Sequence, residues 1–402
     1  MCQYGLLTFF LFIHNYFLNL KINKGWEQHK LENVFTKYQK RINPTQQNLE
    51  LWSLTIDQGL VAKTKRYDRS FLVRKNDIFN LVPKGYFVYN PMNITLGTID
   101  VNKYHSIAVS GYYIVLKSND QFNVAFLASL LHTSSMINKY KRFSTGSLLE
   151  KQRLQFPNFA KVKIISPRLS EQTKIGLLMN QVNNLIDLQQ RKLKQLKQLK
   201  KAMLQQLLAN QSFPKVRFND FKDSWKDYRL GEVFDEFSVK SKKENEYKLL
   251  SSTTSGMESR SGRVSGHSNI GYKVIDNGDI VLSPQNLWLG NINLNNMGKG
   301  IVSPSYHTFK IVNANPIFVN FQLKTKKMLF EYKMVSVQGA SVVRRNLDMD
   351  AFKKIVIKIP NEKEQIKIAS LFSSISNIIN NHQNKLTQLT TLKKYLLQKL
   401  FI

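Results

Sequence analysis

The chain has 402 residues, 42% of them hydrophobic, which is enough for two domains with cores of their own. Lysine and arginine number 59 against 27 acidic residues, a net charge of +32, so a polyanion is the expected partner and nucleic acid the first candidate. The single cysteine, Cys2, excludes an internal disulfide and a cysteine-based zinc site, and it fits a reducing cytoplasm.

Residues 1–25 form an atypical apolar segment. The run 6–20 carries Phe9, Phe10, Phe12 and Phe17, but His14, Asn15 and Asn19 interrupt it. It is short for a bilayer span and lacks the basic start and small-residue cleavage site of a signal peptide, so no membrane attachment is expected. A first globular domain is expected over 26–166, with strand-like runs at 86–89 and 112–116 and a short helix over 123–140. A long helix follows at 167–209. Next, Asn210, Gln211 and Pro214, with Phe213, Phe218 and Phe221, break the helical pattern and open a second domain, 210–359. Its strand-like runs lie at 279–282, 308–312 and 354–359, and a short helix is expected at 316–334. A second long helix takes 360–402.

These parts repeat. Pro167, Glu171, Gln172, Lys174 and Ile175 recur 193 residues later as Pro360, Glu364, Gln365, Lys367 and Ile368, and over 167–207 19 of 41 positions are identical at that offset. Upstream only landmarks survive, among them Pro91 and Pro284, Leu96-Gly97 and Leu289-Gly290, Gly146 and Gly339, and Phe159 and Phe352. Trp26, Leu31, Val34 and Phe35 match Trp225, Leu230, Val233 and Phe234 at an offset of 199. Each half is therefore a diverged globular part followed by a closely kept helix.

Each helix carries an apolar stripe, Leu178, Val182, Leu185, Ile186, Leu193, Leu196, Leu199, Met203 and Leu207 in the first. Leu371, Ile375, Ile378, Ile379, Leu386, Leu389, Leu392, Leu396 and Leu400 match it in the second. The seam shifts at Gln189-Gln190 and at His382-Gln383, as a stutter requires. A narrow seam on a helix of roughly 60 Å calls for a second helix. Two equivalent helices in a chain running globule, helix, globule, helix pack antiparallel. The expected fold is thus mixed α/β: two similar globular α/β domains separated by two long antiparallel coiled-coil helices, with pseudo-two-fold internal repetition.

The twice-repeated signature at Pro167 to Ile175 and Pro360 to Ile368, each opening a long helix that ends in Leu-Lys-Lys and Leu-Leu-Gln type sequence, resembles the specificity subunits of type I restriction-modification systems. The segments 26–35 and 213–234 strengthen the resemblance, which covers about residues 26–402. It implies two target recognition domains, each reading one half of a bipartite site in double-stranded DNA, on helices that dock two methyltransferase subunits and through them the restriction and translocase subunits. S-adenosylmethionine, ATP and Mg are then expected on those partners and none on this chain. The basic lead before Trp225 has no clear counterpart before Trp26.

Base reading calls for polar loops bearing Arg, Lys, Asn or Gln. In the first domain the candidates are Lys63, Lys65, Arg66 and Arg69 around Tyr67, and Lys139, Lys141 and Arg142 around Tyr140. In the second they are Arg260, Arg263, His267 and Asn269, then Gln285 and Asn286 with Trp288, then Arg344, Arg345 and Asn346. A surface that docks two copies of one partner presents the same residues twice. Glu171, Gln172, Leu196, Leu199, Glu364, Gln365, Leu389 and Leu392 are therefore expected to hold the helix pair and its partners. The helix cations Arg191, Lys192, Lys194, Lys197, Lys200 and Lys201 are expected to be solvated or to face a partner and not to read bases, with contact to backbone phosphates across the gap as the alternative.

No phosphate-binding Gly-x-x-x-x-Gly-Lys-Ser/Thr occurs. Asn90-Pro91-Met92-Asn93 is similar to the Asn-Pro-Pro-aromatic loop of adenine methyltransferases but lacks the second proline and the ring. Asp235 with Glu246-Tyr247-Lys248 has only the loose spacing of a nuclease triad. A non-catalytic subunit is expected. The alternatives from other classes are a self-contained nuclease-methyltransferase fragment and a coiled-coil or membrane-tethered scaffold.

Overall fold

The computed structural model describes residues 25–44, 47–56, 58–63, 78–146, 152–208, 211–260, 268–338 and 345–401. The expectations for residues 1–24 and for Lys65, Arg66, Tyr67, Arg69, Arg263, His267, Gly339 and Arg344 lie outside them. The chain divides into two units, residues 1–188 with 386–402 and residues 189–385, so each long helix gives one part of itself to each unit.

In the first unit, Phe87–Tyr89 has all three side chains buried, which a strand shows only when both its faces are covered. Phe87 and Tyr89 join a cluster with Phe126, Tyr140 and Phe159 from the helices, while Val88 joins Trp52, Leu54 and Val109 on the other side. The strand belongs to a four-stranded sheet in the order Phe35–Tyr38, Ile114–Ser118, Phe87–Tyr89, Ile99–Val101. Against it lies a five-stranded sheet in the order Arg41–Ile42, Phe79–Val82, Ile107–Ser110, Leu51–Thr55, Gly59–Ala62. One pairing in that sheet is parallel, Leu51 with Ala108 and Trp52 with Val109. The first strand of the domain, Glu27–Lys30, pairs antiparallel with the last, Lys163–Ser166, which closes it next to the long helix.

The second unit repeats this plan. Ile280–Leu282 is again fully buried, with Ile280 and Leu282 against the helices and Val281 against the other sheet. Its four-stranded sheet runs Phe234–Phe237, His307–Ile311, Ile280–Leu282, Ile292–Leu294. Its five-stranded sheet runs Val239–Lys240, Lys273–Ile275, Gly300–Val302, Lys248–Ser252, Met257–Ser259, with the parallel pairing again in the same place. Lys226–Arg229 and Val356–Ile359 close it.

The short helices expected over 123–140 and 316–334 are each two helices, Val124–Leu130 with Ser134–Phe143 and Pro316–Gln322 with Lys326–Met334. Thr133 and Thr325 break them by capping the second member, their hydroxyls accepting from the amides of Met136 and Met328. Tyr140 and Tyr332, fully buried, each donate their hydroxyl across the break, to the carbonyls of Leu131 and Leu323 at 3.1 Å. Burial holds both phenols well above their ordinary pKa.

The long helices span Leu169–Leu207 and Glu362–Leu400. Ile175, Leu178, Met179 and Val182 of one enter the first core, together with Leu392, Leu396, Leu400 and Phe401 from the end of the other. Ile368, Ala369, Phe372 and Ile375 enter the second core with Leu207 and Leu208. In the second unit the helix segments run antiparallel: His382 Nδ1 lies 2.6 Å from Gln189 Oε1, and Lys200 Nζ donates to Ser376 Oγ at 2.8 Å. The two polar breaks in the stripe thus supply residues that meet each other.

The stripe needs corrections. Leu389 and Leu392 are buried and Leu196 is half-buried, but Leu199 is 51% exposed and does not hold the helices together. Gln172 and Gln365 are not docking residues either, because both ends of each amide are engaged at home. Gln172 accepts from the amide of Asn123 at 2.9 Å and donates to the carbonyl of Pro167 at 2.8 Å. Gln365 does the same with Asn315 at 2.7 Å and Pro360 at 2.9 Å. Each glutamine locks the start of its long helix to the N-cap residue of the domain's short helix. Glu364, with no exposed surface, is held by Arg217 through two bonds of 2.8 and 2.7 Å and is likewise unavailable to a partner. Glu171 is half-buried.

Candidate nucleic-acid interface

In the second unit three stretches that are distant in sequence converge. Pro284 follows the strand Ile280–Leu282, and the chain turns through a 3-10 helix, Leu287–Leu289, closed by Gly290 at φ 88°. That left-handed backbone suits glycine, and a Cβ there would press to 3.1 Å from Leu329. The turn carries Gln285, exposed, and Asn286, whose side chain makes no capping bond to it. Against the turn lies a hairpin of Ser336–Gln338 and Arg345–Leu347. The Arg345 amide donates to the Gln285 carbonyl at 3.3 Å, and its guanidinium sits 5.3 Å from the centre of the Trp288 ring. One guanidinium nitrogen donates to the Ser336 carbonyl at 3.2 Å. A guanidinium held over an indole is rigid and keeps further donors for a ligand, the geometry needed to meet a base edge. Asn346, one residue on, is exposed.

The first unit has the same turn, Ile94–Leu96 closed by Gly97 at φ 88°. Among the described residues its counterpart of the hairpin is a bridge between Thr145 and Arg153, and the neighbouring Leu154 amide donates to the Pro91 carbonyl at 2.9 Å. Arg153 is exposed there, outside the candidates the sequence marks; its signal is its place 193 residues before Asn346, and its bridge to Thr145 matches the pairing of Asn346 with Val337. Lys141 and Arg142 are exposed on the last turn of Ser134–Phe143, just before Thr145, and Lys63 is exposed after Gly59–Ala62. The first turn bears Met92 and Leu96, both exposed, where the second bears Gln285 and Leu289.

Two candidates leave the set. Asn269 is buried: its side chain donates to Asn245 Oδ1 at 2.8 Å and accepts from the Asn245 amide at 2.7 Å, so it shapes a turn instead of reading a base. Lys139 is half-buried, donates to the Lys163 carbonyl at 2.8 Å, and has its pKa lowered by burial. Arg260 remains exposed at the end of Met257–Ser259, where its amide donates to the Leu249 carbonyl at 3.0 Å. Of the loosely spaced acids, Glu246 is engaged by backbone amides and Asp235 is exposed on its strand. Glu246 accepts from the amides of Lys242 and Lys243 at 2.6 and 3.3 Å, and Asp235 pairs with Lys310 in the sheet register. In the 90–93 loop the Asn90 side chain accepts from the Met92 amide at 3.1 Å, an ordinary side-chain-closed turn.

A family model described as "Type I restriction modification DNA specificity domain" matches residues 23–198 and again 222–391. The chain belongs to that family, twice over. Among solved structures it is similar to the type I restriction-modification system S subunit from M. genitalium, at 14% identity with a TM-score of 0.63, over 95% of this chain and 98% of that one. It is also similar to a chain from a study of complex assembly and conformational transition of the type I R-M system (15% identity, TM-score 0.49, 94% and 97% covered). A third is the HsdS subunit from Thermoanaerobacter tengcongensis (16% identity, TM-score 0.40, 94% and 97% covered). No curated protein matches. The match to the M. genitalium subunit shows the shared fold, two repeated mixed α/β domains with long helices. Among the described residues no helix is long and apolar enough to cross a membrane.

Proposed function

We propose that the chain is the DNA sequence-specificity subunit of a type I restriction-modification complex, without catalysis of its own, working in the cytoplasm. Each domain reads one half of a bipartite site, and the long helices set the gap between the halves. The helices also dock two methyltransferase subunits, which bring the restriction and translocase subunits, S-adenosylmethionine, ATP and Mg. The observation that carries the reading is one frame presented twice with different side chains at the same corner: Gln285, Asn286, Trp288 and Arg345 in one unit, Met92, Leu96 and Arg153 in the other. Two halves of one site with different sequences call for this combination of a fixed frame and a variable corner. For docking, the residues that fit are among those both duplicated and exposed, such as Asn184 and Asn377, Gln195 and Gln388, Lys201 and Lys394, Gln205 and Gln398.

Exchanging residues 26–166 for those of another family member tests the reading. With the methyltransferase partner and S-adenosylmethionine present, mapping of methylated adenines should show one half-site changed and the other half-site and the gap kept. An exchange that leaves both half-sites intact, or turnover by the isolated chain, overturns it.

A further inference from the structure

Where each long helix passes its recognition domain, one lysine of the helix turns inward: Lys393 in the first unit and Lys200, 193 residues earlier, in the second. The surroundings match position by position but differ in charge. In the first unit burial lowers the pKa of Lys393 and the charge of Lys103 lowers it further, while two carboxylates, Asp187 and Asp100, oppose both; the Asp100 charge also acts on His132. In the second unit the residues at the places of Asp187, Asp100 and Lys103 are Asn380, Asn293 and Asn296, and the place of His132 is taken by Lys324. Both acids have become amides, and the histidine has become a lysine.

The resulting corner holds two ammonium groups and neutral partners. Lys200 donates to Ser376 Oγ at 2.8 Å and lies 5.3 Å from the centre of the Phe321 ring. Lys324 donates to Asn293 Oδ1, and Asn293 in turn donates to Ser252 Oγ and to the Thr253 carbonyl, both at 2.7 Å, in the hairpin that leads to Arg260. Neither lysine is ion-paired among the described residues. Burial lowers the pKa of both, and the charge of Lys200 lowers that of Lys324 further, to about 8. Half-buried cations set side by side without a counter-charge are unfavourable unless an anion completes them.

We propose that Lys200 and Lys324 form a phosphate-binding site that takes one phosphodiester of the DNA backbone in the second half only, the matching corner of the first half carrying the carboxylates Asp187 and Asp100 instead. The proposal rests on the chain's reading DNA. A backbone phosphate supplies the missing charge, and Asn293 couples the site to the hairpin carrying Arg260, so that a single phosphate fixes helix and reading loop in register.

The test uses the full chain and a duplex of arbitrary sequence, with affinity measured over a range of salt concentrations. Each neutralised phosphate adds roughly 0.9 to the slope of log affinity against log salt. Lys324→Gln and Lys200→Gln should each lower that slope by about 1 and weaken binding several-fold at low salt. Lys393→Gln should leave the slope unchanged. Asn380→Asp, which restores on the exposed helix surface the acid of the first unit while keeping both lysines, should lower the slope in the same direction and guards against loss of fold. If the wild-type chain binds and the slope is the same in all four variants, the site is wrong while the DNA reading stands. If the wild-type chain binds no DNA at low salt, both fall. If the slope holds but assembly with the methyltransferase partner weakens, the corner takes a protein carboxylate and the phosphate assignment is overturned.

Discussion

At the start of the central helix Gln172 bonds the Asn123 amide and the Pro167 carbonyl; at the start of the C-terminal helix Gln365 bonds the Asn315 amide and the Pro360 carbonyl. The corners that bear the exposed turn share a backbone but hardly a side chain, Met92 standing where Gln285 stands and Arg153 where Asn346 stands. The contrast shows what identity between the copies reports. A buried amide with both ends bonded tolerates no replacement, since any change leaves a donor or an acceptor unmet. An exposed side chain on a fixed turn is free to change. Much of the duplicated signature therefore records how a helix is fastened to its domain, and only its exposed part is left for a shared partner.

The largest expected effect comes where the two joints differ. Glu364 is buried against Arg217, whereas Glu171 is half-buried and no described residue bonds its side chain. Glu364→Ala strands a guanidinium that is only 11% exposed and should cost about 3–5 kcal/mol. Glu171→Ala should cost no more than about 1 kcal/mol. Denaturant unfolding of the two variants decides it: equal losses would mean that the joints are equivalent after all.

The reading corner should respond in specificity and leave stability alone. Arg345→Ala should lose about 1–3 kcal/mol of discrimination at one or two positions of the second half-site and none at the first. Trp288→Ala should do much of the same, because the indole holds the guanidinium in place, and the double variant should fall short of the sum. Binding to duplexes altered one base pair at a time measures it; losses at both half-sites would dissolve the comparison between corners.

A smaller effect is expected at the duplicated exposed residues. Reversing charge at Lys201 alone should weaken one partner site by about 1 kcal/mol or less and leave the Lys394 site untouched. The assembly should then show two unequal affinities for the methyltransferase subunit. Two equal affinities would place docking on other residues.

Much of this was legible in the chain. The offset of 193 marks both long helices, and the runs around 86–89 and 279–282 announce the buried strands. The break at Thr133 was not, because Ser134–Phe143 continues a helical composition and only a hydroxyl cap interrupts it. Gln172 and Leu199 looked alike as repeated helix residues. Burial separates them, and burial depends on which part of the helix faces a globular core. The meeting of Gln285 with Arg345 depends on a hairpin that brings together residues 60 apart, and no local pattern encodes that.

The finest distinction lies between Lys324 and His132, which occupy the same place in the two frames. Without DNA, the folded chain holds Lys324 with a pKa of about 8, against 10.5 for a free lysine, mainly through burial and next through Lys200. Between those values the unfolded chain binds more protons than the folded one, so this group makes stability rise as pH goes from about 8 to about 10.5. Below pH 8 both forms are protonated and the dependence vanishes. Lys324→Gln should remove that part of the rise and raise stability at pH 7, where the charged ammonium is at its most unfavourable. The difference in melting temperature between wild type and variant, followed from pH 7 to pH 10, isolates the contribution from the other titrating groups. A difference that stays flat across the window would mean that the ammonium is satisfied in the free protein and that the corner does not await an anion.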